Sequence, residues 1–212
     1  MGAIHDRGGL GNEAGWVSVA AIAIALGILG GLIMGGRPAN AGLRPIRAGN
    51  ALWAGVALEI APHLVDVSGA FGLGLVLAGY AMLLAFVLAN LRLVGMPVVL
   101  VGILLNVVAI GLNQGMPVRA DAVVAAHQAE RAELPRLDLG AKRHLEDADD
   151  RLTFLGDTVP IPPLHEVVSF GDLILAFGVA DVAFRLLRPV GLRRQRGRHR
   201  VLVAQDPLES LV

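Results

Sequence analysis

The stretch Asn113-Gln114-Gly115-Met116-Pro117-Val118 opens the one long polar segment of the chain, which runs from Asn113 to Glu166. On both sides of this segment the sequence is nearly unbroken Ala, Leu, Val, Ile and Gly. The chain is 55% hydrophobic and only 17% charged, whereas ordinary soluble domains have roughly 25% charged residues. The imbalance favours an integral membrane protein whose polar chemistry lies in this segment or just beside it.

Five apolar stretches have, or nearly have, the length needed to cross a bilayer. A hydrocarbon core about 30 Å thick requires roughly 20 mostly apolar residues in a helix. The second stretch is the shortest and carries Glu59 and His63, so a tilted or interfacial helix is its alternative. We therefore predict an all-α integral membrane fold with five transmembrane helices, at residues 16–34, 48–64, 69–91, 96–112 and 167–187.

The arginines beside these stretches predict the orientation of the chain, because cytoplasmic flanks of membrane spans are enriched in Lys and Arg. If all five stretches cross, the arginines of every basic connection fall on one side. These are Arg37, Arg44, Arg47, Arg92, Arg185, Arg188, Arg193, Arg194, Arg196, Arg198 and Arg200. We predict an extracytoplasmic N-terminal extension (1–15), an extracytoplasmic cap (113–166) between the fourth and fifth helices, and a basic cytoplasmic tail (188–212).

Within the cap, the alanine-rich stretch from Arg119 to Leu134 predicts a short helix that Pro135 ends. Residues 138–163 are charged and then rich in proline, which predicts irregular structure over the outer ends of the helices.

Four polar residues fall inside or at the ends of the apolar stretches. Glu59 and His63 stand four apart on one helical face, which suits either a proton or ion relay or a hydrogen bond between helices. Asn106 and Asn113 lie two turns apart, a spacing typical of amides that join neighbouring helices.

A second set of polar residues is expected at the outer mouth of the bundle. Asp172 follows Ser169 by three residues, which predicts a helix cap resembling a capping box. The functional alternative is that Asp157, His165, Glu166 and Asp172 gather there to bind a divalent cation or a polar headgroup, although their spacing matches no metal motif. The candidate binding residues are Asn113, His144, Asp157, His165 and Asp172.

Two features point to partners in or beside the membrane. Gly27, Gly31 and Gly35 form a small-residue face that suits packing within the bundle or self-association. The basic tail predicts attraction to anionic lipid headgroups rather than to nucleic acid, through Arg193, Arg194, Arg196, Arg198 and Arg200.

The sequence contains no catalytic constellation of a known kind. Walker, dinucleotide, zinc-protease and serine-hydrolase motifs are absent, and no residue is assigned a catalytic role. The absence of cysteine excludes thiolate metal sites, and the sequence implies neither a metal nor a cofactor.

Polar landmarks occur in a distinctive order between Leu29 and Phe184. They are Gly36-Arg37, Asn90-Leu91-Arg92, Asn113 with Met116-Pro117-Val118, Lys142, His144, Asp149-Asp150-Arg151-Leu152, Leu155-Gly156-Asp157, Pro160, Pro162 and Val168-Ser169-Phe170-Gly171-Asp172. Their order and spacing resemble the bacterial membrane-protein family known as domain of unknown function 5317. The resemblance implies a multi-pass protein of the bacterial plasma membrane and implies no mechanism.

Three functions remain open from the sequence. The first is a non-enzymatic accessory or interaction subunit of a membrane complex, which binds a membrane-protein partner or a second copy of itself. The second is a small transporter or ion- or proton-conducting protein that uses Glu59, His63, Asp172 and the Asn106/Asn113 face. The third is an enzyme that acts on lipid or lipid-linked substrate at the outer face.

Overall fold

The computed structural model describes residues 15–64, 67, 69–140 and 142–189, and the side chains of residues 15–18 and 63 lie outside this description. The N-terminal extension up to residue 14 and the tail from residue 190 are also outside it. Within the described residues the α-helices are α1 (Gly15–Ile33), α2 (Gly49–Leu64), α3 (Gly69–Ala89), α4 (Met96–Asn113), α5 (Ala120–Ala125) and α6 (Phe170–Leu186). The strands are β1 (Met116–Val118), β2 (Arg143–Leu145), β3 (Asp157–Ile161) and β4 (Glu166–Ser169).

The five long helices follow the packing order α1, α6, α4, α3, α2. Glycine allows the closest of these approaches. A Cβ atom on Gly102 of α4 would lie 2.6 Å from the Leu175 backbone nitrogen of α6, and one on Gly178 of α6 would lie 2.7 Å from the Val99 nitrogen of α4. The two helices therefore meet backbone to backbone.

The predicted glycine face of α1 is used within the chain. Gly27 lies against the Ala180 backbone of α6, and Gly31 lies against Phe184 and Leu187. Gly35, just beyond the helix, has no neighbour within 4 Å among the described residues.

Two helices, α3 and α4, are long and apolar enough to cross a membrane. In α1 the apolar helical segment Val19–Ile33 is shorter than these two helices. Large apolar side chains cover the outer surface of the bundle. Trp53 of α2 is 73% exposed, and Phe177 of α6 is 69% exposed. Soluble monomers rarely expose continuous apolar surface of this kind.

The structure is mostly helical, as predicted, but residues 113–166 also contain a small mixed sheet that the prediction of an all-α fold missed. The strand order is β2-β1-β3-β4, with β1 parallel to both β2 and β3 and with β3 antiparallel to β4. The expectation of irregular structure at residues 138–163 is wrong for the same reason, since β2 and β3 lie there. The strands have three to five residues and two contain proline, so no alternating apolar pattern identifies them.

The helix predicted at Arg119–Leu134 is confirmed only at its start, as α5. The chain leaves the helix at His127, which has a left-handed backbone (φ +59°) and whose N–H donates to the Val124 carbonyl (3.0 Å). Such a left-handed residue commonly ends a helix.

The sheet and the described arginines outside the cap lie at opposite ends of the helices. The chain enters the sheet directly after α4 and leaves it directly into α6. At the other end, the Arg37 N–H donates to the Leu187 carbonyl (2.8 Å), which joins the ends of α1 and α6. Asn90, at the end of α3, exchanges hydrogen bonds of 2.8 and 2.9 Å with the Arg47 backbone just before α2.

Candidate functional site

A cluster of charged side chains is buried where the sheet meets the helices. Glu59 of α2 is 4% exposed, and Asp157 of β3 and Glu166 of β4 are each 1% exposed. Burial of charge in an apolar environment is costly unless the groups are paired. We call this set the buried charge cluster; its members are Glu59, Lys142, Arg143, Asp157, Glu166 and Asp172.

Lys142 connects the cap to α2 and α3. Its Nζ atom lies 3.2 Å from Glu59 Oε2 and donates to Tyr80 Oη at 2.8 Å, and it also sits 4.9 Å from the centre of the Tyr80 ring. Burial disfavours the ammonium, but the oxygens of Tyr80 and Glu59 outweigh this effect and raise the pKa of Lys142 above its ordinary value. Lys142 is therefore a cation throughout the physiological pH range.

Arg143, the next residue, faces the carboxylates of the sheet. Its Nε atom lies 2.9 Å from Asp157 Oδ2, and its guanidinium also reaches Glu166 Oε2 (3.8 Å) and the Val167 carbonyl (3.3 Å). The contact with Asp157 is close enough for an ion pair but lacks hydrogen-bond geometry. Among the described residues, neither Asp157 carboxylate oxygen has a hydrogen-bond donor.

The environment of Asp157 favours its protonated form. Burial raises the pKa of Asp157 to about 6; the Arg143 charge opposes the shift, and the negative charge of Asp172 adds to it. Asp157 therefore changes its protonation between mildly acidic and neutral pH.

Asn106 joins α4 to the start of α6. Its Nδ2 atom donates to Asp172 Oδ1 (2.6 Å), and its Oδ1 atom accepts from the Ser169 hydroxyl (3.0 Å). The predicted cap at Ser169 is confirmed as a capping box, since Asp172 N donates to Ser169 Oγ (2.9 Å) and Ser169 N donates to Asp172 Oδ2 (3.1 Å). These bonds fix the Asp172 carboxylate at the edge of the cluster. The Asn106 amide lies against Gly171, in a space that a side chain at position 171 would occupy.

A cavity of about 50 Å³ lies between these groups. One water needs roughly 10 to 15 Å³ on this measure, so the cavity is large enough for water. Leu83, Ile103, Met116 and Leu175 form the apolar part of its wall. Its polar wall consists of Glu59, Tyr80, Asn106, Lys142, Arg143, Asp157 and Asp172.

The cluster carries more acid than base. It has four carboxylates and two cationic side chains within the described part of the chain. Because charge in a low-dielectric site is strongly disfavoured, the buried carboxylates of this cluster favour a nearby cation or a proton.

The structure brings together only some of the candidate binding residues that were predicted at the outer mouth of the bundle. Asp157 and Asp172 line the same cavity. Asn113 instead bonds the Ala109 carbonyl and the Arg151 backbone, and His144 Nε2 pairs with Asp150 at 3.0 Å. The His165 ring lies beside His127, with 6.3 Å between ring centres.

The four polar residues predicted inside or at the ends of the apolar stretches do not all lie at one site. Glu59 and Asn106 both line the cavity, whereas the His63 side chain lies outside the described residues. Asn106 joins two helices, but Asn113 contacts its own helix and a loop of the cap.

Sequence reasoning assigned no site role to Lys142, Tyr80 or Arg143, whereas it placed Glu166 in the outer-mouth cluster with Asp157 and Asp172. A compositional signal was available for two of them. Lys142 is the only lysine in a chain whose other 17 basic residues are arginine, and Tyr80 is the only tyrosine. These two unique residues bond each other.

No group of three or more His, Asp or Glu side chains in the described residues is placed to hold a metal ion.

Comparison with known proteins gives one match. The model of DUF5317, a family of unknown function, matches residues 45–184, which is most of the chain. The protein belongs to the DUF5317 family. The match contains every member of the buried charge cluster, but it begins after Gly36-Arg37, so these two residues of the resemblance fall outside it. No curated protein and no solved structure matches this DUF5317 protein significantly.

Proposed function

We propose that this DUF5317 protein crosses the bacterial plasma membrane five times, through α1, α2, α3, α4 and α6. The length and composition of α3 and α4 support this topology, as does the exposed apolar surface of the bundle. The arginine end of the helices is then cytoplasmic and the sheet is extracytoplasmic. The N-terminus is outside, and the basic tail meets anionic headgroups on the inner face.

We further propose that the protein moves protons or a small monovalent cation across the membrane. The observation that carries this proposal is the Asp157 carboxylate, which is 1% exposed, lines the cavity and has no hydrogen-bond donor among the described residues. A buried carboxylate is destabilising unless a proton or cation satisfies it. Ionisable groups at membrane depth typically mark ion or proton pathways.

The position of the cavity supports this function. Asn106 lies seven residues before the end of α4, which corresponds to about 10 Å along the helix axis. In the proposed topology the outer surface of the hydrocarbon core is at the end of α4, which puts the cavity about 10 Å inside a core about 30 Å thick. It lies directly beneath a sheet whose edge strand, β2, has only three residues.

The accessory-subunit alternative receives less support from the fold. Its proposed contact surface included the glycine face of α1, and Gly27 and Gly31 pack against α6 of the same chain.

Flux into proteoliposomes tests the proposed function. The purified protein is reconstituted, a membrane potential is imposed, and the entry of protons, Na⁺, K⁺ or ammonium is followed with ion-sensitive dyes. We expect flux above that of empty liposomes for at least one ion, and a loss of at least tenfold in Asp157→Asn. The matched control is Asp121→Asn, because Asp121 is an exposed cap residue paired with Arg131. Background flux for all four ions, or equal loss in both variants, contradicts the proposal.

A further inference from the structure

Two large apolar side chains are exposed on the surface of the cap. Among its described residues these are Leu152, at 44%, and Phe154, at 58%. Phe154 lies in a 3-10 turn, Thr153–Leu155, and Leu152 directly precedes this turn. The other large apolar residues of the described cap are at least partly buried. Exposed apolar surface on the cap is therefore confined to one short turn.

Hydrogen bonds hold this turn at the end of α4. The Arg151 N–H donates to Asn113 Oδ1 (2.7 Å), and Asn113 Nδ2 donates to the Arg151 carbonyl (2.9 Å). Leu155, at the other end of the turn, packs against the buried core that α3 and α4 form. Because Asn113 is the last residue of α4, the turn lies level with the outer surface of the hydrocarbon core in the proposed topology.

The backbone of Leu152 is unusual for a leucine. Its φ of +51° and ψ of +42° are in the left-handed region, which glycine, asparagine and aspartate adopt more readily. The Leu155 N–H donates to the Leu152 carbonyl (2.8 Å), which closes the turn in this conformation. Glycine or a polar residue would suit such a turn in water, whereas leucine gains free energy only where its side chain leaves water.

We infer that residues 151–154 form a membrane anchor of the cap, in which Leu152 and Phe154 insert into the outer leaflet of a phospholipid bilayer. The partner is the apolar region just beneath the lipid headgroups, because both side chains are apolar and the turn lies level with that region. Insertion removes both side chains from water, which stabilises the anchored state. The inference rests on the proposed topology and not on the movement of ions.

A short connection joins the anchor to the cavity. Leu155 packs against the helix core, and Gly156 lies against the Pro117 carbonyl with no room for a side chain. Asp157 follows as the first residue of β3. A turn fixed in the bilayer therefore fixes the depth of the strand that carries Asp157.

Depth-dependent fluorescence quenching tests the anchor. The substitutions Phe154→Cys, Leu104→Cys and Glu130→Cys each introduce a single cysteine into a chain that has none, and each cysteine is labelled with an NBD fluorophore. The full-length protein is placed in nanodiscs of phosphatidylethanolamine and phosphatidylglycerol, which leave both faces of the bilayer accessible. Lipids with a nitroxide near the headgroup or near the end of the acyl chain quench from inside the bilayer, and iodide quenches from water.

We expect position 154 to lose fluorescence mainly to the nitroxide near the headgroup, and to lose little to iodide, because its label lies among the acyl chains. Position 130, on the exposed surface of the cap, should lose fluorescence to iodide and not to the nitroxides. Leu104 is the reference inside the bilayer. It is exposed on α4 nine residues before Asn113, or about 14 Å deeper, so its label should respond more to the deep nitroxide.

Iodide quenching at position 154 equal to that at position 130 would overturn the anchor. Protection of position 154 from all quenchers would also overturn it, since protein rather than lipid would then cover the turn. Lipid quenching at position 104 together with iodide quenching at position 154 refutes the anchor alone and leaves the proposed function intact. Failure of the nitroxides to reach position 104 refutes the proposed topology and the anchor with it. If labelled Phe154→Cys does not reconstitute, Leu152→Cys gives the same readout from the same turn.

Discussion

The buried charges differ in how completely their neighbours satisfy them. Glu59 lies 3.2 Å from the Lys142 ammonium, and each Asp172 oxygen accepts a hydrogen bond. Asp157 has the Arg143 charge nearby but no hydrogen-bond donor in the described part of the chain. Asp157 is therefore the member of the cluster with the most to gain from a proton.

This difference predicts how the stability of the protein depends on pH. The pKa of Asp157 rises from 3.8 in the unfolded chain to about 6 in the fold, mainly through burial. A raised pKa stabilises the fold below pH 4, and this contribution is lost as the pH rises towards and through 6. The loss is on the order of 3 kcal/mol, at 1.36 kcal/mol per pKa unit.

Asp157→Asn should remove this part of the pH dependence, because asparagine stays neutral. Unfolding midpoints measured in detergent from pH 4 to pH 8 should fall more steeply for the wild-type protein than for the variant. Asp121→Asn, on the cap surface, should keep the wild-type slope. Parallel curves for the wild type and Asp157→Asn would show that Asp157 does not titrate in this range.

Glycine determines how closely the helices that hold the site approach each other. Gly102 and Gly171 lie at the contact between α4 and α6, beside the Asn106–Asp172 bond. The distance between these two helices therefore sets the geometry of one wall of the cavity.

The substitution Gly102→Ala tests whether the close contact between α4 and α6 depends on glycine. The added Cβ would lie 2.6 Å from the Leu175 nitrogen and 2.8 Å from the Gly171 carbonyl oxygen, so α6 must shift. Overpacking of this kind should lower the free energy of unfolding by about 1 to 3 kcal/mol, which calorimetry or thermal scans can measure.

Gly111→Ala is the control in the same helix: an added Cβ there has no neighbour within 4 Å in the described structure. It should be neutral or stabilising by up to about 1 kcal/mol. Equal effects at both positions would mean that the α4–α6 contact does not depend on glycine.

The described helices are polarised along their length, with the sheet at one end and the described arginines outside the cap at the other. Arg37 and Arg47 are held there by backbone bonds to Leu187 and Asn90. This polarity supports the proposed five-span topology, in which the two ends would face different compartments.

Cysteine labelling tests that topology in a chain that has no native cysteine. Glu130→Cys, on the exposed surface of the cap, should react with a membrane-impermeant maleimide in intact cells. Arg92→Cys, between α3 and α4, and Arg198→Cys, in the tail, should react only after the cells are permeabilised. Labelling of positions 130 and 92 from the same side would contradict the proposed orientation.

The sequence by itself determined the features that depend on local composition. Each of the five apolar stretches is largely covered by a helix, because helix hydrogen bonds are local and the apolar runs are long. The Ser169–Asp172 capping box was also predictable, since its partners are three residues apart. The family was recognisable from the order of its polar landmarks.

Only the tertiary structure decided the sheet and the partners of the buried charges. Met116–Val118 pairs with Arg143–Leu145, some 25 residues further along the chain, so neither strand has a local signature. Lys142 meets Glu59 and Tyr80 across separations of 83 and 62 residues, and this pairing depends on how the cap folds back over the helices. The sequence singled out Glu59 and Asp157, whereas the fold determined which cation lies beside each of them.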